Sequence, residues 1–84
     1  MSMNSVFLLQ HMYVDSHKGE NVKIIGIYRS RWEAEEVVRH MSILPGFSVY
    51  PSLVDPLVDE EENGFYIDEY VLGKSQWTDG FSLN

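Results

Sequence analysis

Apolar positions along this chain fall into three short runs, with one segment of helical spacing between the second and the third. That rhythm predicts the elements. SVFLLQHMYV, Ser5–Val14, is dense in β-branched, aromatic and large aliphatic residues and reads as a strand. DSHKGEN, Asp15–Asn21, is a polar turn containing Gly19, and VKIIGIY, Val22–Tyr28, reads as a second strand. A connection this short favours antiparallel pairing of the two. Gly26 in mid-strand marks a bulge or a close approach by another element.

SRWEAEEVVRHMSIL, Ser30–Leu44, carries the strongest local signal. Ser30 followed by Glu33 is a capping-box pattern, in which the hydroxyl accepts from the Glu33 amide and the carboxylate returns to the Ser30 amide. Glu33, Glu35 and Glu36 lie toward the positive end of the helix dipole, and Arg39 and His40 toward the negative end. Ala34, Val37, Val38 and Met41 form one apolar stripe, and Pro45-Gly46 ends the helix. FSVYPSLVDPLVDEEENG has no clean period and reads as a long acidic loop, about residues 48–64, with at most a short extended segment. Loops of this length in compact domains are usually functional or mobile. FYIDEYVL, Phe65–Leu72, alternates as a third strand, and KSQWTDGFSLN is a tail with a turn at Asp79-Gly80.

The order β-β-α-loop-β predicts an α+β sandwich, one helix packed on a mainly antiparallel three-stranded sheet, with the whole chain, 1–84, as a single domain. One helix covers one face. Yet the first strand is apolar on both, with Val6, Leu8, Met12 and Val14 against Phe7, Leu9 and Tyr13. Phe65, Ile67 and Val71 likewise oppose Tyr66, Tyr70 and Leu72. The second face therefore needs cover from the tail, the long loop or another chain.

Composition changes the picture in two ways. With no cysteine, neither disulfides nor thiolate metal sites reinforce a domain of this size, so modest stability is expected. The formal net charge is −7, and seven of the thirteen acids fall between Asp55 and Glu69. No Lys or Arg lies between His40 and Gly73. Such a stretch repels phosphate backbones, so direct nucleic-acid binding is not expected. It favours a partner protein with a basic surface, reached by electrostatic steering, although plain surface solubility is the competing reading. MSMNSVFLLQ lacks a basic n-region, and no run approaches the roughly 20 apolar residues that span a bilayer. A cytoplasmic location without membrane partners is the expectation.

Catalytic chemistry finds little support. His11, His17 and His40 share no metal-binding spacing, and His11 with Asp15 and His17 would make at most a weak loop site. His11, polar in an apolar strand, is expected either on an open face or paired inside. DPLVDEEENG has the acids but not the spacing of a calcium loop. There is no phosphate or dinucleotide fingerprint and no nucleophile elbow. Asp68 and Glu69, adjacent on a strand, point to opposite faces and cannot act as one acid/base pair. The expectation is a non-enzyme with no cofactor and no metal.

Taken together, VFLLQHMY, KIIGIY, a helix opening S-x-x-E-A, then PGF, GFYIDEYVLG and W-T-D-G-F resemble a small bacterial and phage domain family of uncharacterised function. The resemblance covers nearly the whole chain apart from the Tyr50–Asn63 insert, which looks longer than the family's usual connection. It implies a compact stand-alone α+β domain, with no established activity or catalytic residues to carry over.

The function expected on these grounds is that of a small interaction protein that binds and blocks a partner, of the toxin-immunity or phage-inhibitor type. Asp59, Glu60, Glu61 and Glu62, with Asp68 and Glu69, would pair with basic residues. Tyr66, Tyr70 and Trp77 would supply the desolvated anchors. The alternative is a homo-oligomeric structural or small-ligand module whose second sheet face is buried in a dimer.

Overall fold

In a computed structural model, which describes residues 4–73, the first apolar run forms strand β1 (Ser5–Asp15) and the second forms β2 (Gly19–Tyr28). The helix α1 spans Arg31–Met41 and the last strand β3 spans Gly64–Val71. The three strands make one antiparallel sheet in the order β2-β1-β3, so the first strand of the chain is the central one. The architecture is the α+β arrangement of one helix and one sheet that the patterning predicts. Trp77 and Phe81 lie outside the described residues.

The hairpin is tighter than its polar sequence suggests. Asp15 Oδ1 accepts from the amides of His17 and Lys18, an Asx turn that lets Asp15 pair with Gly19, whose φ of 84° suits glycine. Gly26 marks a bulge, as expected. Leu9 lies opposite Gly26 but Gln10 opposite Ile24, which leaves Ile25 unpaired and free to pack against the core.

Ser30 caps the helix, accepting from the Glu33 amide at 3.1 Å. The returning carboxylate differs from expectation: Glu33 Oε1 accepts from the Arg29 amide rather than from that of Ser30, whose backbone is extended. The helix ends at Met41, a turn before Leu44. The residue ahead of a proline resists helical geometry, and the Ser42 amide closes the last turn on the Val38 carbonyl. Ala34 and Val38 are buried, with Val37 and Met41 packed beside them, against Leu9, Phe65 and Ile67 of the sheet.

The 42–63 connection lies on the same side of the sheet as the helix. His11, fully buried in β1, donates from Nε2 to the Tyr50 carbonyl at 3.0 Å, since a carbonyl can only accept. Its ring meets the rings of Phe47 and Phe65 edge to face, at centroid distances of 4.9 Å and 4.7 Å, and Tyr13 stacks on Tyr50. His11 Nδ1 is buried without a hydrogen-bond partner among the described residues. Of the two expectations for His11, the structure realises the interior one.

Further along, Val54 donates to the Phe65 carbonyl and Phe65 to that of Ser52, which makes a parallel bridge of Leu53 along the outer edge of β3. This is the short extended segment expected within the loop. Gly64 permits it. Its φ is 149°, and a Cβ there would collide with the Ser52 carbonyl oxygen and press on Val54. Gly64→Ala should therefore unfold more easily by roughly 2–4 kcal/mol, from strain plus displacement of the bridging segment. Chemical denaturation measures this, and Gly46→Ala is the control, because its Cβ would meet nothing although its φ is also positive.

Candidate functional site

Residues paired across an antiparallel sheet share a face, so the register shows what the helix leaves uncovered. Leu8 lies between Ile27 and Asp68, Gln10 between Ile24 and Tyr66, and Val6 beside Tyr70. Met12 pairs with Val22 and Val14 with Glu20. The result is a three-strand, largely apolar face turned away from the helix, met by the connection only where Tyr66 reaches Glu62. Val14, Val22, Ile24, Ile27 and Tyr70 are exposed on it, Ile24 at 70% and Ile27 at 64%. Isolated exposed aliphatics are normal on proteins, but a contiguous apolar sheet face is not.

Two of its three strands were legible as two-faced. The third was hidden by the bulge. Strict alternation through VKIIGIY separates Ile27 from Ile24, whereas the extra residue at Ile25 returns Ile27 to the face of Ile24 and sends Tyr28 to the core.

Carboxylates gather at the β3 side of this face. Asp68 Oδ2, on β3, accepts from the side-chain amide of Gln10 on the central strand at 3.4 Å. The Tyr66 hydroxyl donates to the Glu62 carbonyl at 2.6 Å. Asn63 accepts from the Val14 amide and in turn donates its own amide to Glu61, so the end of the acidic run is fastened to the sheet. None of the strand residues on this face is Lys or Arg.

The predicted contact residues therefore divide. Tyr66, Asp68 and Tyr70 share the open face, with Glu61 and Glu62 close to Tyr66. Asp59 and Glu60 are exposed in the connection that leads there. Glu69 points to the other face, beside Phe7, and does not join them. Trp77 lies outside the described residues. His17 and His40 are exposed and His11 is buried, and no group of three potential metal ligands comes together among the described residues.

Burial, and then the charges of Glu62, Glu61 and Asp68, hold the Tyr66 phenol above its ordinary value, because both disfavour a phenolate. A raised folded-state value stabilises the protein below the unfolded tyrosine range, and that contribution is lost as pH rises through the folded value. Ultraviolet titration, differenced against Tyr66→Phe, should show a phenol ionising later than free tyrosine. Glu61→Gln with Glu62→Gln should lower its value only part of the way, since burial is the larger cause.

Comparison with known proteins gives a family and no more. The sequence profile described as Domain of unknown function (DUF7336) matches residues 4–81, nearly the full span. No curated protein matches the chain, and no solved structure does. On that match over nearly its full span, this chain belongs to the DUF7336 family.

Proposed function

We propose that this chain is a small acidic interaction protein that binds and blocks a partner bearing a basic surface, an inhibitor of the toxin-immunity or phage-encoded kind, acting in the cytoplasm. The open sheet face carries this reading: it is largely apolar, the helix leaves it uncovered, and carboxylates stand along its β3 side, where the connection reaches Tyr66. Apolar contact there would supply most of the affinity, with Ile24, Ile27 and Tyr70 giving up the most water. Asp59–Glu62 and Asp68 would steer a cationic partner and fix its orientation. The mechanism is occlusion, with no reaction step and no cofactor. No helix among the described residues is long and apolar enough to cross a membrane.

A second reading pairs two copies through the same face. The apolar strands are compatible with it, but twofold pairing brings together two chains of net charge −7, each with Asp68 on the face. A basic partner relieves that repulsion, and a second copy adds to it. Sedimentation velocity of the isolated protein at low concentration should show a monomer, and a tight homodimer would overturn the partner reading. Against a recovered partner, neutralising Asp59, Glu60, Glu61 and Glu62 to their amides should slow association about tenfold at low salt and flatten its salt dependence. Ile24→Asp should instead weaken binding at any salt while leaving thermal stability nearly unchanged.

A further inference from the structure

Between Val54 and the acidic run, the chain makes a turn that holds its own shape. Asp55 and Asp59 close it reciprocally: the Asp55 amide donates to Asp59 Oδ2 at 2.8 Å, and the Asp59 amide donates to the Asp55 carbonyl at 2.8 Å. The Leu57 amide donates to Asp55 Oδ1 at 3.0 Å and the Val58 amide to the Asp55 carbonyl at 3.1 Å. Pro56 has no amide hydrogen and fixes its own φ. Every amide donor from Asp55 to Asp59 is thus satisfied within the turn.

Nothing in that arrangement requires an apolar tip. Turn tips ordinarily carry Gly, Asn, Asp or Ser, whose backbone and side-chain preferences suit them. Here the tip is Leu57 and Val58, exposed at 92% and 74%. Two adjacent aliphatics so fully in water contribute nothing to the fold, and each loses free energy by staying there. The backbone beneath them is already ordered, so little conformational freedom would be lost when they are buried. Asp59, Glu60, Glu61 and Glu62 follow at once, without a cation anywhere from Met41 to Gly73.

We propose that the Asp55–Asp59 turn is a preformed plug, which seats Leu57 and Val58 in an apolar recess of the partner protein whose rim carries Lys or Arg. The assignment rests on the partner having the basic surface proposed above, and it adds an anchor separate from the sheet face. The charge pattern sets the chemistry of the recess: an apolar floor for the two tips and cations placed to meet Asp59 and the glutamates. The turn projects beside the β3 edge, where Val54 is held by Phe65, so plug and sheet face are joined through the same strand.

A photo-crosslinking amino acid placed at Leu57, and in a separate variant at Ile24, tests this in the cells that make the protein. The expected result is an adduct from position 57 to a peptide of another protein, in which apolar residues neighbour Lys or Arg. Binding of that protein by Leu57→Ser with Val58→Ser should then weaken about tenfold or more, with the melting temperature unchanged because both side chains are exposed. Asp55→Ala, which keeps Leu57 and Val58 but removes an acceptor that orders them, should weaken binding as well. An adduct from Ile24 alone overturns the plug and leaves the sheet-face reading standing. Adducts from neither position overturn both. Crosslinking of position 57 to a second copy of this chain, or to a surface without cations, overturns the recess chemistry, as does full affinity in the double serine variant.

Discussion

The hydrogen bond from His11 to the Tyr50 carbonyl decides which side of the sheet the long connection occupies. It joins the central strand to a segment that has no regular structure of its own, and it is made where water is excluded. Phe47, Tyr50 and Phe65 gather around the same ring, so that a polar group in an apolar strand becomes the seat of an aromatic cluster. With the connection drawn to the helix side, Leu9, His11 and Phe65 of that face are fully buried. The opposite face meets the connection only at its end, where Tyr66 donates to the Glu62 carbonyl, and Ile24 and Ile27 are left exposed.

A second constraint fixes the far end of the connection. The Leu53 bridge requires the Ser52 carbonyl to approach the start of β3 more closely than any side-chain-bearing residue would allow, and Gly64 supplies that space. These two attachments convert a stretch with no sequence period into a positioned element. From it the self-capped Asp55–Asp59 turn projects, and the acidic run leads on to Tyr66. The apolar face and the negative charge are adjacent because one strand, β3, borders both.

Physical character follows from this layout. Small domains bury a limited fraction of their surface, and among the described residues this one leaves Val22, Ile24 and Ile27 of one sheet face exposed. Such a surplus contributes little to the isolated fold, and under the proposed function it would become favourable on burial against a partner. Under the proposed function the flanking carboxylates would select what approaches that face.

Much of the architecture was readable from residues that act locally. Ser30 and Glu33 start the helix, Ala34, Val37, Val38 and Met41 aim it, and the alternation in SVFLLQHMYV and FYIDEYVL marks strands with two apolar faces. These signals are short-range, because capping, helical periodicity and strand alternation each involve residues a few positions apart. The sequence also set the excess of apolar surface and the placement of negative charge. What only the tertiary structure decided was long-range: the central place of β1, the bulge that returns Ile27 to the face of Ile24, the inward turn of His11, and the separation of Glu69 from Asp68 and Tyr66. Each depends on pairing between residues far apart in the chain. No local pattern encodes whether a loop will settle on one side of a sheet or the other, and that choice determined which apolar face was left open.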